Sequence, residues 1–149
     1  MTRGMFVTVL GRMADAKGDG AAAAKAFADV AADAYYAPYV AWASENGIVT
    51  GTDPGRFEPE ATGTREQMAA ILARYIGKSG LELAGKGDKA AFADDGSISA
   101  YAKDAVYEMR GTGVISGKPG NRFDPQGVAV RAEVAALMQQ FAQASGKAA

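Results

Sequence analysis

The chain reads Phe27-Ala-Asp29, Gly47-Ile-Val-Thr-Gly51, Arg56-Phe-Glu-Pro59 and Thr64-Arg65, and then repeats itself as Phe92-Ala-Asp94, Gly113-Val-Ile-Ser-Gly117, Arg122-Phe-Asp-Pro125 and Val130-Arg131. From Tyr35 and Tyr101 onward, the two copies keep a constant spacing of 66 residues. A repeat this faithful indicates a repeat architecture, in which neighbouring units bury their apolar faces against one another.

The start of the chain carries the last part of one more copy. Thr2-Arg3 aligns with Thr64-Arg65, and the match continues in register to Arg12 and Arg74. We therefore interpret the chain as a single domain made of a partial repeat, 1–16, with only the second helix, two complete repeats, 27–77 and 92–143, and two linkers, 17–26 and 78–91. The linkers are rich in Gly, Ala, Lys and Asp, and we expect them to be exposed and loosely structured.

Each complete repeat is predicted to form a helix, a loop and a second helix. The first helix is expected at about 34–46 and 99–112, because the glycines that follow suit the left-handed position after a helix. Short β-branched runs and Pro-Gly turns come next and predict extended segments or minimal β-bridges. Phe57 and Phe123 follow these turns and are expected in the core.

The second helix has the clearest pattern of the chain. Its apolar residues recur at i, i+3, i+4, i+7 and i+8, which places them on one face: Met68, Ile71, Leu72, Tyr75 and Ile76. The other two copies repeat this stripe. Three such helices bury their stripes by facing one another, which predicts a mainly α fold: a pseudo-threefold bundle of helix-loop-helix repeats around a three-helix core, with short extended segments.

The composition excludes several classes of function. The 149 residues include no His and no Cys, which removes the usual general base, thiolate nucleophiles and the commonest zinc ligands. The net charge is −1, so there is no basic field to hold nucleic acid. No apolar run reaches the roughly 20 residues of a membrane span, and we recognise no signal peptide in this chain. We expect no enzyme, no cofactor, no metal site and no membrane insertion.

The start of each second helix carries the residues most suggestive of binding. Residues 64–67, Thr-Arg-Glu-Gln, have the pattern of a capping box, which fixes Arg65 at a helix N-terminus. Arg3 and Arg131 hold the same position. A cation there opposes the helix macrodipole, so an anion is expected nearby. Two sources stay open: an acidic ligand bound by guanidinium and exposed amides, or the carboxylates of Asp29 and Asp94.

Three further pairs of residues have two interpretations each. Asp29 and Asp94 cap or turn the chain, or they line a binding groove. Tyr35 and Tyr101 pack in the core, or they offer flat faces to a sugar. The third pair is Gly51 and Gly117. These glycines either form a turn or let a ligand or another backbone segment approach closely.

These landmarks in this order, twice over, resemble the S-layer homology (SLH) domain. The resemblance implies a non-catalytic module, extracellular and associated with the cell wall or S-layer. Its implied partner is an acidic, often pyruvylated, secondary polysaccharide attached to peptidoglycan and bound in grooves between repeats. The arginines matching the family's Thr-Arg motif are Arg3, Arg65 and Arg131. The resemblance also places in the groove Asp29, Asp94, Tyr35, Tyr101, Gly51 and Gly117.

The chain departs from the family pattern in three places. Val130 stands where Thr is usual, which removes an N-cap hydroxyl at a cost of about 1 kcal/mol and leaves Glu133 as half a capping box. Gly4 and Met5 replace the acid-containing part of the motif in the first copy. That copy also lacks its first helix, so we expect uncovered apolar surface and self-association there. The alternative function is a structural, self-assembling module that binds no sugar.

Overall fold

A computed structural model describes residues 1–80 and 90–144 of the chain. This part is mainly helical and has no β-strand, which confirms the predicted fold class. Its α-helices are α1 (Arg3–Met13), α2 (Gly20–Ala26), α3 (Ala37–Glu45), α4 (Arg65–Ser79), α5 (Ala100–Gly111) and α6 (Arg131–Ala144), with a short 3-10 helix at Asp95–Ser97. No helix of this part is long and apolar enough to cross a membrane.

The chain divides into two compact units, residues 1–63 and residues 64–149. Each unit begins with the second helix of one sequence repeat and continues into the next repeat. The structural unit is therefore offset from the sequence repeat. Since α1 belongs to one unit and α4 and α6 to the other, the predicted three-helix core and its pseudo-threefold symmetry stay a prediction.

In the first unit, α3 packs against both α1 and α2. Phe6, Leu10, Val40 and Phe57 are fully buried in its core. Phe57 lies 5.6 Å from Phe27, centroid to centroid, just beyond the Pro-Gly turn. This position confirms the expectation that the aromatic residue after the turn enters the core.

The segment 17–26 was expected to be a loose linker, and this expectation is wrong for its second part. Asp19 accepts a hydrogen bond of 3.0 Å from the amide of Ala21 and so caps α2. The glycines fit close packing rather than flexibility, because a Cβ at Gly18 would lie 1.9 Å from the carbonyl oxygen of Pro38. Most of the second linker, residues 81–89, lies outside the described residues.

In the second unit, α4 packs against α5. Its largest fully buried side chains are those of Met68, Leu72, Met109, Phe123 and Phe141. The predicted bridges occur in both units, although not in the β-branched runs: they flank the turns or join the start of a second helix to the loop before the next one, as Thr2–Thr62, Asp53–Arg56, Thr64–Val128 and Lys118–Arg122.

Candidate ligand-binding site

Asp94 holds the loop that follows the turn in the second unit. Its two carboxylate oxygens accept hydrogen bonds of 2.8 Å from the amides of Phe123 and Asp124. Burial raises the pKa of Asp94, but these amide hydrogen bonds outweigh it and leave the pKa below its ordinary value. Sequence reasoning proposed a local cap or turn, and the structure shows instead a contact across 29 residues of chain.

Asp29 makes the same contact in the first unit. It accepts from the amides of Phe57 at 2.9 Å and Glu58 at 2.7 Å. The acidic residue of each clamped loop has a positive φ, 57° at Glu58 and 60° at Asp124. This backbone region is costly for residues other than glycine, so the two amide contacts compensate for local strain. Each clamp thereby fixes the direction of the neighbouring phenylalanine carbonyl.

An arginine of the preceding repeat binds that carbonyl in both units. The Nε of Arg3 donates to the oxygen of Phe57 at 2.9 Å, and the Nε of Arg65 donates to the oxygen of Phe123 at 2.7 Å. The guanidinium carbons lie 4.7 and 5.1 Å from the centroids of the same two rings. Each arginine is thus held by a hydrogen bond and a cation–π contact that the protein itself provides.

The amides at the start of these helices are not available to an anion, which corrects an expectation from the sequence. In α4 the amides of Arg65 and Glu66 donate to the carbonyls of Gly127 and Pro125 at 2.9 and 3.1 Å. The next amide donates to Thr64, which forms the predicted capping box with Gln67. In α1 the first two amides donate to the same kind of loop, at Ala61 and Pro59. Only the guanidinium remains as an anion-binding group at α4.

The acid that pairs with Arg65 is Glu133, and not Asp94 as one interpretation of the sequence proposed. The Arg65 NH1 nitrogen donates to a carboxylate oxygen of Glu133. The sequence assigned Glu133 to half a capping box at its own helix. Its carboxylate reaches Arg65 on the neighbouring helix α4 instead, and residue 130 is a valine without the hydroxyl of a complete capping box.

Arg65 and Glu133 line a shallow cleft that is open to solvent in the second unit. The rest of the lining is apolar: Met68, Ile115, Phe123, Ala129, Val134 and Leu137. The Arg65 side chain is 13% exposed and the Glu133 side chain 33%. A ligand that enters this cleft therefore meets a cation, an acid and an apolar wall.

The other predicted site residues of this unit lie outside the described lining of the cleft. Tyr101 is 56% exposed on α5, so it offers an open face. Gly117 has a φ of 83°, and a Cβ there would lie 2.7 Å from Cε1 of Phe92. Asp94 clamps the loop beneath the cleft. The structure thus gives Asp94 and Gly117 clear packing functions, while the side chain of Tyr101 is mostly exposed.

The first unit places its predicted residues in the same way. Tyr35 is 56% exposed, like Tyr101, and Gly51 has a φ of 86°. Arg3, however, is only 6% exposed. The two equivalent arginines therefore differ in access, and Arg65 is the better placed to meet a ligand.

Arg131 begins α6, where the arrangement of α1 and α4 is not repeated. Its side chain is exposed, and Val128 and Val130 are 52% and 46% exposed. Within the described part of the unit, no loop carbonyl receives its amide or its guanidinium. The start of α6 is the open end of the repeat.

Sequence reasoning missed Glu66, a buried acid at the start of α4. Its carboxylate accepts from the amide of Ser99 at 2.9 Å and from the Ser99 hydroxyl at 2.6 Å, and so holds the residue before α5. The corresponding residue of the first unit is Gly4, where a Cβ would lie 3.0 Å from the ring of Tyr36. The departure at Gly4 is therefore explained by an aromatic ring in the place of the acid.

A helical repeat that holds an arginine of one copy against a loop of the next defines the chain as a repeat module with an arginine-lined cleft. The S-layer homology domain family matches residues 26–69 and 91–135, together more than half of the chain. The chain belongs to this family. Its domains are non-catalytic modules that anchor proteins to the cell wall, so the chain is a cell-wall-associated, extracellular module.

Three much longer proteins contain segments similar to this chain. Amylopullulanase of Thermoanaerobacterium thermosulfurigenes is 32% identical over 146 residues, 98% of this chain and 8% of that protein. Exoglucanase XynX of Acetivibrio thermocellus is 36% identical over 112 residues, 75% of this chain and 10% of that protein. The S-layer protein of Bacillus thuringiensis subsp. finitimus is 35% identical over 118 residues, 79% and 14% respectively. The chain thus spans a small fraction of each relative.

Proposed function

We propose that this chain anchors the protein that carries it to the cell wall by binding an acidic, pyruvylated secondary polysaccharide attached to peptidoglycan. The cleft between α4 and α6 is the binding groove, and Arg65 is the group that meets the acid. The observation that carries this proposal is the partly exposed guanidinium in an otherwise largely apolar cleft, at the motif position the family uses.

The chemistry is a charge-assisted hydrogen bond. A ketal carboxylate on the polymer accepts from a guanidinium nitrogen of Arg65, while Nε stays on the carbonyl of Phe123. Because the hydrogen bond from Nε already holds the Arg65 side chain, little side-chain entropy is lost when the ligand binds. Tyr101 contributes a sugar-stacking face at the surface, and Arg131 adds a second, exposed cation. In the first unit Arg3, Asp29, Tyr35 and Gly51 are the corresponding groups.

Co-sedimentation with cell-wall sacculi, before and after removal of the secondary polysaccharide, tests the proposal. Binding should be lost with the polymer and should weaken as salt is raised, because partly exposed charges are screened. Arg65→Ala should lower binding, whereas Arg12→Ala removes an exposed arginine on α1 and serves as the matched control. Equal binding of both preparations would refute the polysaccharide as ligand.

Arg65→Ala also deletes the hydrogen bond to Phe123, so thermal unfolding must be measured on the same samples. A variant that remains folded at the assay temperature and still binds like the parent chain would remove Arg65 from the site. Arg65→Lys keeps the charge without the planar fork, so it should bind more weakly than the parent and better than alanine.

The open start of α6 favours a second function, self-assembly. Val128, Val130 and Arg131 are exposed there, whereas the starts of α1 and α4 are covered by loops. A structural module of this kind would form concentration-dependent oligomers and show no affinity for the polymer. Sedimentation equilibrium over a hundredfold concentration range, with and without polymer, separates the two functions.

A further inference from the structure

Glu133 has lost the function that its counterpart keeps in the preceding repeat. The counterpart is Gln67, whose side-chain oxygen accepts from the Thr64 amide at 3.1 Å and closes the capping box. At the same register, residue 130 is Val in place of Thr, so no hydroxyl is available for the reciprocal bond. The Glu133 carboxylate instead pairs with Arg65.

This pair occupies the cation that faces the cleft. The Nε of Arg65 is on the carbonyl of Phe123, and NH1 is on Glu133. The neighbouring lining residues are mostly apolar, so the attraction between the two charges is stronger than it would be in open water. An incoming carboxylate meets a guanidinium that is already neutralised and a second acid of its own sign.

Glu133 is not needed to orient Arg65. The hydrogen bond of 2.7 Å to Phe123 and the ring beneath the guanidinium already fix this side chain. Arg3, in the equivalent contact of the first unit, is held by the same two interactions with Phe57. The effect of Glu133 is therefore on the charge that a ligand experiences.

We propose that Glu133 is a specificity-determining residue of the cleft: its carboxylate competes with the acidic group of the ligand for Arg65 and so limits anion affinity. This inference rests on the proposed function. It implies that the cleft retains only ligands whose acidic group displaces Glu133, and that weakly acidic or neutral sugars gain nothing from Arg65.

Two variants test the proposal from opposite sides. Glu133→Gln keeps the shape of the side chain, removes its charge and places at position 133 the same residue type as Gln67 in the preceding repeat. We expect this variant to bind the acidic polymer about tenfold more tightly. Val130→Thr supplies only the hydroxyl that accepts from the Glu133 amide and leaves the Glu133 carboxylate beside Arg65, so it should leave the affinity close to that of the parent chain. Val128→Thr is the matched control on an exposed valine.

The probes are the pyruvylated polymer, the same polymer stripped of pyruvyl groups, and sodium pyruvate followed through the Arg65 side-chain NMR signals. Tighter binding of both acidic probes by Glu133→Gln, with no change for the stripped polymer, supports the proposal. Equal or weaker binding of pyruvate by that variant overturns it. If no variant binds polymer but Glu133→Gln binds pyruvate more tightly, the proposed function fails and the competition stands.

Discussion

Arg65 and Phe123 join two sequence repeats through one contact: the Nε of Arg65 donates a 2.7 Å hydrogen bond to the Phe123 carbonyl, and its guanidinium carbon lies 5.1 Å from the ring. Arg3 and Phe57 repeat this geometry in the first unit at 2.9 and 4.7 Å. The arginine of the Thr-Arg motif is therefore part of the fold as well as a candidate ligand group. Four predictions concern the residues around this contact.

Asp94→Asn should destabilise the second unit by roughly 1–3 kcal/mol, because an amide replaces an oxygen that accepts from a backbone N–H. Chemical denaturation of the parent and variant chains measures this difference. Asp104→Asn, on the exposed face of α5, is the control and should leave the free energy of unfolding nearly unchanged. Similar losses in the two variants would contradict the clamp.

The clamp also predicts a pH dependence. The pKa of Asp94 is lowered in the folded chain, so the unfolded chain binds more protons and stability rises with pH through this window. The contribution is complete above the ordinary aspartate pKa of about 4 and is lost as pH falls through the lowered value. The stability gap between parent and Asp94→Asn should therefore narrow below about pH 4. If the stability difference between the two chains widened in acid, the pKa of Asp94 would not be lowered in the folded chain.

Gly117→Ala should destabilise more than Gly120→Ala. Both glycines have positive φ, 83° and 81°, so alanine pays a similar backbone cost of about 1 kcal/mol at each. At Gly117 the new Cβ would also lie 2.7 Å from Cε1 of the buried Phe92, whereas at Gly120 the nearest atom is 4.0 Å away. The difference in Tm between the two variants measures the destabilisation caused by the clash with Phe92. Equal shifts in Tm would show that this clash has no effect on stability.

Glu66→Ala should cost about 1–3 kcal/mol, because it leaves the Ser99 amide and hydroxyl without their acceptor. Ser99→Ala removes only the hydroxyl bond and should cost less. A double-mutant cycle between the two positions should give a coupling energy of at least about 0.5 kcal/mol. Additive losses would mean that Glu66 stabilises α4 alone and does not hold the start of α5.

Much of the fold follows from local sequence. The apolar period of the second helices, the capping box at Thr64 and the glycines after the first helices predicted α3, α4, α5 and α6 to within a few residues. The prediction that residues 17–26 form a loose linker was wrong for the second part of the segment. Its glycines suggested flexibility, but Gly18 and Gly20 allow close packing against Pro38 and Ala32. Composition cannot separate these two uses of glycine.

The sequence by itself determined the repeat, the helical class and the motif arginines, because periodicity, capping and turn residues act over a few positions. Only the tertiary structure decided what those arginines contact. Asp29 and Asp94 act across about thirty residues, Glu66 holds Ser99, and Glu133 pairs with Arg65 rather than with its own helix. Such partners depend on which backbone atoms folding brings within 3 Å, and no local spacing encodes that distance.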